Sequence, residues 1–216
     1  MSNRKRDVFT ALCLSLFIIS FAVCFITFFK PLYYLDIDRL NIVKYSCVAK
    51  DIIIKNYNIL IDYLSIFYKG DLYFPNFRMS PTGKIHFEEV KVIFQLIQLL
   101  MISSGLLSGV LIYFRHKEKE YRYLRLASIF STGVPIILGL VACADFESSF
   151  LIFHKIFFRN EYYVFDLYDD AIINILPQEF FMHCFIAIIG VVVVLSLLCY
   201  IIYRRYEKRV LGENGL

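Results

Sequence analysis

FFMHCFIAIIGVVVVLSLLCYIIY, residues 180–203, runs for twenty-four positions without an Asp, Glu, Lys or Arg. At 1.5 Å per residue, a helix of that length outreaches the roughly 30 Å hydrocarbon core of a bilayer. It ends in a basic stop, Arg204-Arg205-Tyr206-Glu207-Lys208-Arg209, and Pro177 stands about where the helix begins, a position that tolerates proline. Three further uncharged runs, Val8–Phe29, Val92–Phe114 and Leu126–Ala144, are long enough to span. The chain is 59% hydrophobic with a mean hydropathy of +0.62, too apolar for an ordinary soluble domain of 216 residues. The fold class that follows is an all-α membrane protein of four transmembrane helices. The first run follows Arg4-Lys5-Arg6 as a signal peptide would. It is longer than a usual signal core, however, and no A-x-A site follows, so an uncleaved span is expected.

Charge orients the spans. Segments 1–7, 115–125 and 204–216 hold twelve basic residues against five acidic ones. Positive-inside places these three segments, with both termini, in the cytoplasm of a cell-membrane protein. Segments 30–89 and 145–179 then form an extracellular cap, and 1–216 is read as one membrane domain. The net charge of +4 is an inside-loop effect. No basic groove with stacking aromatics implies nucleic acid. Of six cysteines, all but Cys47 fall in the spans and none forms a CxxC pair, so a disulfide framework is not expected. Cys143, Cys184 and Cys47 are the ones placed to meet on the outer side.

Span one carries Ala11, Ser15 and Ala22 at roughly helical spacing, and span two carries Gly105-Leu106-Leu107-Ser108-Gly109; both patterns suit close helix packing. Gln95 and Gln98 are polar groups expected to face protein or water. In span three, Gly133, Pro135 and Gly139 predict a kink. Within the first cap segment, Asp36 to Tyr68 reads as helix, with Ile52, Ile53, Leu60, Leu64 and Phe67 on one apolar face. Such a helix either lies on the bilayer or roofs the bundle. Gly70, Pro75, Pro81 and Gly83 then read as helix breakers, with Leu72–Phe74 and Lys84–His86 as two short strands. Phe153-His154-Lys155-Ile156-Phe157-Phe158-Arg159-Asn160-Glu161-Tyr162-Tyr163 reads as an aromatic-rich boundary loop.

GxSxG, HExxH and GxxxxGK[ST] are all absent, which disfavours serine-hydrolase and ATP-driven chemistry of the usual kind. His116 lies in the charged inside loop and reads as solvated, while His183, inside the start of span four, reads as structural. His86 and His154 sit near spans on the same side, in different cap segments, and can meet in space. Two readings stay open: an acid–base pair, or histidines of the membrane boundary. A metal site from His86, Glu89 and His154 is a third, with no diagnostic spacing.

Two blocks stand out: His86-Phe87-Glu88-Glu89-Val90-Lys91, and Phe153 to Asn160 running on through Ile173 to Leu176-Pro177-Gln178-Glu179-Phe180-Phe181. On these the chain resembles the lipoprotein intramolecular transacylase (Lit) family of small bacterial membrane proteins, the first block being similar to that family's H-x-x-[DE]-V-K. A weaker match is Asn56 to Leu64. Tyr163 stands near a place where the family often has tryptophan, and Thr82-Gly83-Lys84 replaces a usual glutamate. The resemblance implies acyl transfer within one diacylglyceryl lipoprotein, from the glyceryl sn-2 oxygen to the α-amino group of the N-terminal cysteine, giving the lyso form. It implies catalytic roles for His86 and His154 in an aromatic pocket. Tyr57, Tyr63, Lys91, Phe153, Asn160 and Tyr163 are the expected substrate-binding residues. Expected partners are the lipoprotein substrate and membrane lipid, for a monomer using no cofactor or metal.

That chemistry suits these residues. Nucleophile and ester share one substrate, and closure passes through an eight-membered ring, which forms poorly until its rotors are frozen. Holding the folded-back conformation is an orientation effect. The amine, with an ordinary pKa of about 7.7–8, needs a base to attack as the neutral form, and the departing alkoxide needs an acid. Lys91, Arg159 or Asn160 are candidates to stabilise the oxyanion. A non-enzymatic tetraspan scaffold or binding protein is the alternative from another class.

Overall fold

Uncharged runs without internal breakers become helices because, away from water, every backbone N–H and C=O needs an intrachain partner. The computed structural model describes residues 3–213, and among them every regular element is helical. In order these are α1 (Asn3–Phe28), α2 (Pro31–Arg39), α3 (Ile42–Ser46), α4 (Lys50–Tyr63), α5 (Pro81–Lys117), α6 (Arg122–Ala144), α7 (Phe146–Phe157), a 3₁₀ turn (Ala171–Ile175) and α8 (Gln178–Glu213). Four of them, α1, α5, α6 and α8, are long and apolar enough to cross a membrane.

The chain divides into two compact units. The first contains Met1–Val23, Ile97–Leu140 and Ile188–Leu216. Small residues set its packing: Ala11, Ser15 and Ala22 are buried, and Ser15 Oγ lies 3.2 Å from the Ala127 carbonyl. A Cβ on Gly105 would meet the Phe17 ring at 2.9 Å, whereas Gly109 faces open space, so only half of the GxxxG pair is used for close approach. Arg115, expected in a solvated loop, is only 1% exposed. It pairs with the buried Asp7 and donates to Glu118 at 2.6 Å. His116 is exposed, as read from the sequence.

The second unit contains Cys24–Leu96 and Val141–Ala187. Its core joins α2, α4 and the 3₁₀ turn around Tyr33, Ile37, Ile53, Tyr57, Ile172 and Ile175. Tyr33 and Tyr57 stack with centroids 3.7 Å apart, Phe180 lies edge-on to Tyr33, and Tyr33 Oη donates to the Ile175 carbonyl at 2.5 Å. Asp36, fully buried, meets His183 Nδ1 at 2.8 Å, which gives His183 the structural role expected of it. Cys47 and Cys184 are free thiols, and Cys143 lies outside the described side chains.

The structure corrects several local expectations. The stretch from Asp36 to Tyr68 is not one helix: Asn41 and Cys47 adopt left-handed φ values of 52° and 56°, which end α2 and α3 and turn the chain. On α4, Ile53 and Leu60 are buried with Asn56 and Ile61, so that face serves a protein core, while Phe67 is 83% exposed. No strand forms among the described residues; Lys84–His86 lies in the first turns of α5. Pro81 starts this helix where it was read as a breaker, because the first helical position needs no N–H donor. Phe153–Phe157, read as loop, is the last part of α7.

Candidate active site

The first turn of α5 is fixed by contacts that converge on one serine. Ser80 Oγ accepts from the Gly83 N–H at 2.9 Å, as a helix N-cap does. Ser80 in turn donates through its N–H and its Oγ to the two carboxylate oxygens of Asp170, each at 2.8 Å. Asp170 is buried, and a Cβ at position 83 would fall 2.1 Å from its Oδ1, so glycine is what admits the carboxylate. The segment before the 3₁₀ turn thereby holds the start of α5, and one turn further on α5 carries His86.

His86 precedes the apolar run of α5 and is 4% exposed. Its ring packs against Phe158 at 4.6 Å and Phe165 at 5.3 Å between centroids. His154 comes from α7, where Phe150 lies one turn before it on the same face, and Phe158, in extended backbone, caps the end of the helix. The two imidazoles lie 6.0 Å apart with an interplanar angle of 29°. Tyr163 is 5.0 Å from the His154 ring, and Phe153 stands edge-on at 5.5 Å.

His154 Nδ1 is 2.7 Å from the Phe150 carbonyl. A carbonyl only accepts, so Nδ1 carries the proton and neutral His154 keeps its lone pair on Nε2. Burial pushes the His154 pKa below the ordinary imidazole value, with the bond to Phe150 opposing it. Burial, and secondarily the neighbouring His154, push His86 down to about 4. Both rings are therefore neutral at neutral pH, the form in which an imidazole accepts a proton.

Asn160 Nδ2 donates to Glu89 Oε1 at 2.8 Å, while its Oδ1 accepts from the Tyr162 N–H at 3.1 Å. Glu89 lies one turn beyond His86 on the same face of α5. Three other expected binding residues, Lys91, Tyr63 and Tyr57, make their contacts elsewhere. Lys91 lies over the Tyr63 ring at 4.0 Å and the Tyr68 ring at 5.0 Å, an aromatic cage for its ammonium. Tyr57 is a core residue stacked on Tyr33. Phe150, Phe158 and Phe165 were not anticipated in the site. The first two were recoverable from their four-residue spacing about His154; Phe165 has no such signal. Among the described residues, no group of three or more His, Cys, Asp or Glu is gathered as metal ligands would be.

The model of the lipoprotein intramolecular transacylase Lit family matches residues 8–181. The chain belongs to the lipoprotein intramolecular transacylase family. It is similar to a solved structure of the membrane-integral lipoprotein intramolecular transacylase Lit from Bacillus cereus, at 39% identity and a TM-score of 0.93, over 95% of this chain and 96% of that one. Two further Bacillus cereus Lit structures each carry a histidine substitution. One, with arginine, is 38% identical at a TM-score of 0.89, covering 97% of this chain and 94% of that one. The other, with alanine, is 38% identical at 0.87, covering 95% and 94%. No curated protein sequence matches the chain. The protein is thus a multi-pass membrane enzyme of the transacylase family, and the histidine pair is its candidate active site.

Proposed function

We propose that the enzyme moves an acyl chain within one diacylglyceryl lipoprotein, from the glyceryl sn-2 oxygen to the α-amino group of the N-terminal cysteine, with His154 and His86 handling the proton. The observation that carries this reading is the pairing of two neutral imidazoles, 6.0 Å apart, inside an aromatic enclosure. His154 Nε2 takes the proton from the amine as its nitrogen bonds to the sn-2 carbonyl carbon. The tetrahedral intermediate then breaks its bond to the sn-2 oxygen. That oxygen receives a proton from His86, and His86 recovers one from the His154 imidazolium. Net, one proton passes from nitrogen to oxygen, an ester becomes an amide, and the enzyme returns to its starting state. Donor and acceptor belong to the same substrate, so neither an enzyme nucleophile nor ATP enters the balance.

The aromatic rings supply the other requirement, a folded-back substrate. Phe158, Phe165 and Tyr163 are rigid and hold a ring-like conformer at low entropic cost. The apolar side chains of α7, with Ile156 71% and Phe157 52% exposed, give the acyl chains a surface to lie on. The charge balance of the inter-span segments supports a site on the outer face of the cell membrane, with both termini cytoplasmic. Both histidines come from one chain, which fits action as a monomer.

The test is mass spectrometry of a lipoprotein N-terminus produced with each variant. His154→Asn and His86→Asn should each lower conversion of diacyl to lyso form by about 10²-fold or more, with the protein still inserted. Full turnover by either variant would overturn the acid–base pair.

A further inference from the structure

Among the described residues, few buried side-chain atoms lack a hydrogen-bond partner, and two of them, His86 Nδ1 and Glu89 Oε2, lie one turn apart on the same face of α5. A buried polar atom left unpaired is expensive unless a partner arrives later. His86 belongs to the proton-handling pair. Glu89 has no part in that scheme, and only one of its carboxylate oxygens is engaged, by Asn160 Nδ2 at 2.8 Å. Asn160 is itself fixed by the Tyr162 N–H. It follows closely after Phe158, which packs on both histidine rings. The carboxylate is thus held from one side, beside the histidines, with its second oxygen open to a donor. Lys91, the nearest lysine along α5, is taken up by Tyr63 and Tyr68.

The proposed substrate brings one group that matches. At neutral pH most of its α-amine is an ammonium, with three N–H donors and a positive charge, and it must sit within reach of a base before it can attack. We propose that Glu89 receives this α-ammonium through Oε2, recognising the free N-terminus and setting its nitrogen beside the imidazoles. The assignment rests on the transfer reaction described above. In it Glu89 is a substrate-binding residue, and Asn160 a positioning residue that acts through Glu89. The carboxylate selects substrates whose cysteine amine is unblocked, which is the chemical condition for accepting an acyl group. The ammonium then gives one proton to solvent; as the neutral amine its hold on Glu89 weakens, and it is free to bond to the carbonyl carbon as His154 takes the second proton.

Binding separates this role from the proton transfer. The probes are an ether-linked dialkylglyceryl-cysteinyl peptide, which has no acyl group to move, with its α-amine either free or N-acetylated. Full-length protein in detergent at pH 7 should bind the free-amine probe about tenfold or more tightly than the acetylated one, the size of a charged hydrogen bond. Glu89→Gln, which keeps an acceptor for Asn160, should bring that ratio close to one. Asn160→Ala should weaken both probes and retain a preference for the free amine. Should the Gln variant fail to fold, Glu89→Asp, which keeps the charge, must retain a severalfold preference. An unchanged ratio in Glu89→Gln, or a wild-type ratio near one, overturns the assignment and leaves the histidine scheme standing. Full turnover by His154→Asn overturns the histidine scheme whatever the ratios show.

Discussion

At the scale of single residues the protein keeps two imidazoles neutral where one alone would titrate close to physiological pH. Burial does this for His86, and its partner adds to the effect. For a base the consequence has a definite sign: a lowered pKa keeps the proton-accepting form populated as the pH falls. With substrate bound, kcat should follow the neutral fraction of the α-amine below its own pKa, and the imidazoles should add no second break at about 6.5, their own loss coming only below it. An added break at about 6.5 would show that the base is not desolvated during turnover. Phe158 is the side chain that both histidines touch. Phe158→Ala should admit water, raise the pKa of His154, the base, toward its ordinary value and bring its break up into the profile, in addition to lowering kcat.

At the scale of elements, α5 and α7 divide the candidate site. One carries His86 and Glu89 on a face secured by its own cap; the other carries His154 among phenylalanines. The cap of α5 is a joint feature of Ser80, Gly83 and Asp170. Asp170→Ala removes two hydrogen bonds from the half-buried Ser80 and should cost about 1–3 kcal/mol, read as a lowered Tm in detergent. Gly83→Ala should be at least as harmful, because the added carbon would stand 2.1 Å from Asp170 Oδ1 and the carboxylate is already held in place. Wild-type Tm in both variants would mean that the start of α5 relaxes freely. The spacing of the sequence showed one face of α5 with His86 and Glu89 on it, and the apolar run that follows. It did not show that Pro81 and Gly83 belong to the helix, since their meaning depends on Asp170, far along the chain. Phe153–Phe157 read as loop for a different reason: the polar side of α7, with Glu147, Ser148, His154 and Lys155, becomes visible only over the whole helix, and a stretch that begins at Phe153 cuts into it.

At the scale of the whole molecule, stability is tied to groups that cannot change charge cheaply. Arg115 is buried with Asp7, and Arg115→Ala leaves that carboxylate without its partner, a loss of about 3–5 kcal/mol to be read as a large fall in Tm. His86 makes stability depend on pH. Between about 6.5 and about 4 the unfolded chain binds a proton that the folded chain does not, so the folded state loses stability as the solution is acidified across that window. The loss of Tm between pH 7 and pH 5 should be smaller in His86→Asn than in wild type, and equal losses would show that His86 does not remain neutral in the fold. What the sequence determined by itself was what local chemistry can encode: four spans, from runs without charge, and a helical membrane fold, from the backbone's need to satisfy itself in lipid. Only the tertiary structure decided that His86 and His154 meet, that Lys91 lies in an aromatic cage away from them, and that Tyr57 is core. Those are contacts between residues remote in the chain, set by which faces pack and where Asn41 and Cys47 turn the backbone, and no periodicity within one segment carries that information.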